Sequence, residues 1–163
     1  MVGMRRREKE ISERVVIEEV LREQEVGRLA TSVGDEPYIV PINFVYTNNV
    51  IIFHSHNDGK KMINISQNPR VCFEVDTYEK VEGEKPCDYA YKYHSVVIRG
   101  IAKPIIDPDA KLTAMMRLSD KYAPGKGKLL RQADLAKYQN LVVYSIEVEE
   151  MTGKRSPVKP SSG

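Results

Sequence analysis

The sequence predicts a mainly β domain: a six-stranded antiparallel β-barrel with helices around it. Three observations predict it. Three segments rich in β-branched and aromatic residues, "GRLATSV", "YIVPINFVY" and "VIIFHSH", follow one another with links too short for a crossover helix, so they form an antiparallel meander. Three more segments of that kind, "VCFEVDTY", "HSVVIRGIAKPII" and "LVVYSIEVEEM", complete the set. No GxGxxG or Walker-type loop is present, which argues against a doubly wound α/β fold.

Each element has a local reason. From about residue 8 to 25, Ile11, Val15, Val16, Val20 and Leu21 recur near helical spacing among Glu and Arg, and Gly27 is placed to end that helix. "GDEP" (Gly34 to Pro37) is a turn between the first two strands. Pro41 sits inside the second strand and cannot donate to a ladder, so this strand is an edge there, or its amide side faces something other than a strand. "TNN" (Thr47 to Asn49) makes the next turn. "NDGKKMINISQNPR" is a short helix, capped by Asn57 or Asp58 and stopped at Asn68-Pro69. Glu79 to Tyr93 is charged and irregular. Asp107-Pro108 opens a second helix, with Leu112, Met115, Met116 and Tyr122 near one face. "APGKGK" breaks that helix, and "LLRQADLAKYQ" is a further short one. The domain spans residues 1–152, and 153–163 have the composition of a disordered tail.

Composition excludes several classes. The 163 residues suit one domain, with 41% apolar and 29% charged residues. No apolar run approaches the roughly 20 residues of a membrane span. The start "MVGMRRREKE" has no apolar stretch of a secretory signal. Cys72 and Cys87 suggest no disulfide framework. A cytoplasmic protein is expected. The formal charge of +2 gives no general case for nucleic-acid binding.

The chemistry-bearing stretch is "HSHNDGKK" (His54 to Lys61). Lys60 and Lys61 fall in the first turn of a helix, where a lysine opposes the macrodipole at a cost of about a few tenths of a kcal/mol each. A bound phosphate would remove that conflict; two solvated surface lysines are the plainer reading. His54 and His56 are two residues apart on a strand and so share a face. They form half of a zinc set at most, because Cys72, Cys87 and His94 are scattered singly; the alternative is hydrogen bonding to a polar ligand. His94 and Ser95 are adjacent, point to opposite faces, and do not make a nucleophile–base pair. The strand interrupted at Pro41 can present the Ile42 and Asn43 amides to a flat ring.

"VGRLATSVGDEPYIVPINFVY", "IIFHSHNDGKKMINISQNPRVCFEVD" and "KYHSVVIRGIAKPI", in that order, resemble the split-barrel flavin-binding proteins related to pyridoxamine 5′-phosphate oxidase. The branch they most resemble is the nitroimidazole-resistance (Nim-type) one. The resemblance runs from about Ile11 to Thr152. It implies a six-stranded antiparallel split β-barrel that forms a homodimer, with FMN in two clefts between the subunits. Lys60 and Lys61 match the basic pair that holds the FMN phosphate. His54 and Ser55 lie on the strand leading to it, and His54 is the candidate proton donor. Val40, Pro41, Ile42 and Asn43 match the strand along the isoalloxazine ring, and Arg28, Leu29 and Ala30 the strand beside it. Ser95 and Val96 match a neighbouring position. The resemblance implies an FMN-dependent oxidoreductase that reduces a small planar acceptor, nitroaromatic or quinone-like. A non-catalytic FMN carrier or redox sensor, and a binder of haem or deazaflavin, are the alternatives. The chain departs from the oxidases in lacking their Arg and Lys on the "VPINFV" strand, and it has no tryptophan, so vitamin B6 oxidation is not expected.

Overall fold

The structure is a computed structural model that describes residues 6–85 and 89–157. Its strands are β1 (Glu10–Ile11), β2 (Val26–Val33), β3 (Glu36–Asn43), β4 (Val45–Thr47), β5 (Val50–His56), β6 (Arg70–Val81), β7 (Ala90–Pro104) and β8 (Leu141–Arg155). They form one sheet in the order β3-β2-β6-β7-β8-β5-β4, with β1 on β8, and every pairing is antiparallel. The two ends of this path, β3 and β4, are joined by a single residue, Phe44. A sheet whose ends are one residue apart must curl back on itself, which makes the barrel and places its seam at Phe44.

Six long strands carry the barrel, and the sheet gains two short ones. "YIVPINFVY" divides at Phe44 into β3 and β4, because Phe44 turns fully into the core. Its N–H goes to the Tyr122 hydroxyl rather than to a strand. The edge position that Pro41 demands is met, since β3 pairs only with β2. The tight turn between β4 and β5 is Asn48-Asn49, both at positive φ (49° and 62°), a conformation Asn tolerates and one that suits a two-residue hairpin.

Among the described residues three α-helices pack on the sheet, α1 (Arg14–Glu23), α2 (Lys60–Gln67) and α3 (Pro108–Tyr122), and the short α4 (Gln132–Leu135) packs on α3. The first helix is shorter than its periodicity predicts. Ile11 belongs to β1 and pairs with Gly153, and Gly27 lies inside β2. Gly27 does not end a helix; it makes room, because a Cβ there would overlap the Phe73 ring. Irregular structure was expected over 79–93, but β6 and β7 run into it and pair as far as Val81 with Ala90. Cys87 lies outside the described residues. At the C-terminus, β8 continues to Arg155, three residues past the expected end of order, because Gly153 and Lys154 pair with both β1 and β7. The rest of the expected tail, 158–163, lies outside the described residues. Asp107 caps α3 as its sequence predicts, its carboxylate accepting from the Ala110 amide at 2.8 Å. The face α3 buries is centred on Ala114 and Leu118.

The core is aromatic at its centre. Phe44, Phe53 and Phe73 are fully buried, and Phe44 meets Phe73 edge to face at 4.8 Å. Ile17, Val20 and Leu21 of α1 join the same core. A buried Asn64–Thr31 hydrogen bond of 3.0 Å ties α2 to β2, and Asn68 donates to the Ser32 carbonyl. These two bonds fix the orientation of α2 and therefore where its N-terminus points.

Candidate functional site

Strand β5 alternates from Phe53 onward, after Ile52, which is buried on the histidine face beneath α3. Ile51, Phe53 and Ser55 are buried, whereas His54 and His56 face outward opposite Val143 and Leu141. The two imidazoles share a face, as their spacing predicts. After the turn at 57–59, the chain enters α2. Segment 137–141 is held against the same corner: the Asn57 amide donates to the Asn140 carbonyl, and Lys111 Nζ donates to the Leu141 carbonyl at 2.7 Å. Together they enclose a cavity of about 510 Å³ lined by His54, His56, Lys61, Lys137, Tyr138 and Asn140.

The electrostatics of this corner favour an anion. Neither Asn57 nor Asp58 caps α2. Gly59 occupies the cap position with extended backbone (φ −75°, ψ 152°), no side chain caps the helix, and no acid lies in its first turn. Asp58 is engaged elsewhere, because its carboxylate meets His56 Nδ1 at 2.5 Å. The first amides of α2 and its positive end therefore stay free of a side-chain cap. Lys61 stays there too. A Cβ built on Gly59 would find only Lys61 Nζ nearby, at 3.9 Å, so the ammonium lies over the start of its own helix. Burial, and then the Lys61 charge, hold the His54 pKa below its ordinary value. The His56 contact, in turn, holds the Asp58 carboxyl below the usual range. Open amides, a helix N-terminus and an ammonium without a carboxylate partner among the described contacts fit a phosphate.

The two lysines diverge. Lys60 reaches Glu36 at 2.6 Å and lies 5.5 Å above the Tyr38 ring. Both partners are exposed, so the pair is worth about 0–1 kcal/mol and exchanges readily for a stronger anion. Ser55 is buried and donates to the His56 carbonyl at 3.0 Å, which braces the strand end.

The remaining expected site residues form a second group. Val40, Pro41, Ile42 and Asn43 sit directly opposite Leu29, Arg28, Gly27 and Val26. Pro41 and Asn43 are exposed, whereas Leu29, Ile42 and Val96 are buried core residues that can offer a ligand only backbone. Arg28 bonds Asp76 at 2.6 Å and Glu74 at 3.2 Å, and Ser95 stands opposite Asp76, so Arg28 and Ser95 share the outer face of β2–β6–β7. Ala30 lines a separate cavity of about 630 Å³ with Cys72, Arg70 and Arg99. That cavity is larger, but both its arginines are matched by carboxylates, Arg70 by Glu149 and Arg99 by Glu150, each at 3.2 Å. It also differs from the first in its thiol: burial pushes the Cys72 pKa up, away from reactivity.

Sequence reasoning missed Lys137, Tyr138 and Asn140. They lie some 80 residues beyond His56 in the chain, and only the β5–β8 pairing brings them to it. It also missed what Tyr122 does, since a tyrosine on a helix face carries no sign of the backbone it will bond.

The model of the family described as "Pyridoxamine 5'-phosphate oxidase" matches residues 13–155. No curated protein matches. Among solved structures, a candidate 5-nitroimidazole antibiotic resistance protein from Bacteroides thetaiotaomicron is 24% identical, covering 90% of this chain and 86% of its own, with a TM-score of 0.77. The flavocytochrome Anf3 of Azotobacter vinelandii is 16% identical (98% and 76% covered, TM-score 0.81). An FAD- and haem-binding protein of Mycobacterium smegmatis is 18% identical (95% and 77% covered, TM-score 0.81). These likenesses show the fold, and the match over residues 13–155 shows the family: the chain is a split-barrel member of the pyridoxamine 5′-phosphate oxidase family.

Proposed function

We propose that the protein is an FMN-dependent oxidoreductase that reduces a small planar acceptor, nitroaromatic or quinone-like. The observation that carries this reading is the uncapped N-terminus of α2 with Lys61 folded over it and lining the 510 Å³ cavity. The first amides of α2, with Lys61 and a released Lys60, would hold the phosphate. The backbone of Val40–Asn43 would lie along the ring. The flavin would supply the redox chemistry, and the chain binding, orientation and protons.

Arg28, Val40–Asn43 and Ser95 do not line the 510 Å³ cavity of their own chain. A cytoplasmic homodimer that sets the Arg28–Ser95 face of one copy against the Lys61 corner of the other would complete two equivalent clefts. Gel filtration with and without FMN tests this; a monomer that binds FMN tightly contradicts it. For activity, the FMN-loaded protein is reduced with dithionite and mixed anaerobically with menadione or a nitrofuran. Catalytic reoxidation is expected, and a flavin that stays reduced makes the protein a carrier or sensor. A haem reading has one observation in its favour: two outward histidines on one cavity wall, in a fold shared with proteins described as flavocytochrome and haem-binding. A Soret band on haem addition that FMN cannot displace would favour it.

A further inference from the structure

His54 and His56 share a face and a cavity, but their surroundings differ. The His54 ring lies beside the Lys61 ammonium and is partly desolvated, and both effects oppose a charged imidazole. No carboxylate is within bonding distance of it among the described contacts. His56 has one: Asp58 Oδ1 stands 2.5 Å from His56 Nδ1. The backbone fixes this pair from both sides. The Ser55 hydroxyl donates to the His56 carbonyl, and the neighbouring Asn57 amide donates to Asn140. A hydrogen bond from Nδ1 to a carboxylate leaves Nε2 as the free nitrogen, turned away from Asp58. Both side chains are exposed, at 59% and 74%, so solvent can return a proton after each turnover.

We propose that His56, oriented by Asp58, delivers the proton to an acceptor reduced in this cavity, in place of His54. This inference rests on the flavin reading. With a quinone, reduced FMN would supply the hydride and be oxidised, while the protonated His56 ring would give the proton on Nε2 to the second oxygen and recover it from water. One electron pair and two hydrogens would reach the quinone, which would leave as the hydroquinone. The charged or titratable groups around His56 are Asp58, His54, Lys61, Lys137 and Tyr138. Asp58 is the positioning residue; its carboxylate is the only anion in that set.

Two experiments test the assignment. The first needs no cofactor. Imidazole ¹⁵N shifts of the protein alone are expected to show His56 with its proton on Nδ1, and Asp58→Asn is expected to abolish that tautomer preference. Unchanged shifts in the variant would overturn the pairing. The second follows reoxidation of dithionite-reduced, FMN-saturated protein by menadione across pH. His56→Gln is expected to slow it by about 100-fold, the low end for general-acid catalysis, and to flatten its decline with rising pH. Asp58→Asn is expected to act in the same direction and more weakly, with FMN affinity retained. His54→Gln is expected to change FMN affinity and keep the pH profile. A His56→Gln rate and profile like wild type overturn the inference and leave the flavin reading standing. A wild-type protein that binds no FMN overturns both.

Discussion

Removing one oxygen at Tyr122 tests how the barrel seam is held. The Tyr122 hydroxyl accepts from the Phe44 amide at 2.7 Å and lies within donating distance of the Glu25 carbonyl (2.6 Å) and the Phe44 carbonyl (2.9 Å). Phe44 is fully buried and is the single residue joining β3 to β4. In Tyr122→Phe the ring still fills its place, but the N–H of the fully buried Phe44 loses its partner. A buried donor left unpaired costs about 1–3 kcal/mol. At about 2–4 °C per kcal/mol for a chain of this size, Tm should fall by roughly 2–12 °C. Circular dichroism or calorimetry reads the shift, and hydrogen exchange at the Phe44 amide should accelerate by about 10- to 100-fold, locating the loss. A Tm within a degree of wild type with unchanged Phe44 exchange would refute the idea that α3 pins the seam.

Gly27→Ala puts a methyl group into the Phe73 ring, so urea denaturation should show a loss of about 1–3 kcal/mol; equal stability would mean the strand shifts freely there. Lys121 is half-buried and donates to the Gln24 and Leu21 carbonyls at 2.5 and 3.3 Å, with its pKa lowered from 10.5 to about 8, chiefly by desolvation. The unfolded chain therefore holds more protons than the folded one between these values, so this residue's contribution to stability rises as pH climbs from about 8 to 10.5. Lys121→Met should remove that rise, and identical pH slopes would refute it. His54, depressed below 6.5, is the same case at lower pH: its contribution is lost as pH falls below 6.5 through its folded value. A phosphate beside Lys61 should restore it, so calorimetry in buffers of different ionisation heat should detect proton uptake on FMN binding below 6.5. Uptake equal in wild type and His54→Gln would refute this.

The strands were legible because alternation and turn chemistry are local signals: Asn48-Asn49 and Pro41 stand where their backbone preferences require. Element ends were less legible. Ile11 reads as helical by spacing, but Gly153, distant in sequence, recruits it to the sheet. The conflict between Lys61 and the macrodipole pointed to the corner that the structure encloses. The partner chosen by Lys60, and the third wall at Lys137 and Tyr138, were not legible, because Glu36 and segment 137–141 reach the corner only through pairings distant in the chain.

The central claim is that the N-terminus of α2 and Lys61 receive a flavin phosphate. Titration of the protein with FMN and with riboflavin, read by flavin fluorescence, tests it most directly. Saturable FMN binding is expected to be tighter than riboflavin binding by about 10- to 100-fold, the value of one charged hydrogen bond of about 1.5–3 kcal/mol. Lys61→Ala should erase most of that difference. Equal affinity for the two flavins, or an FMN preference untouched by Lys61→Ala, would contradict it.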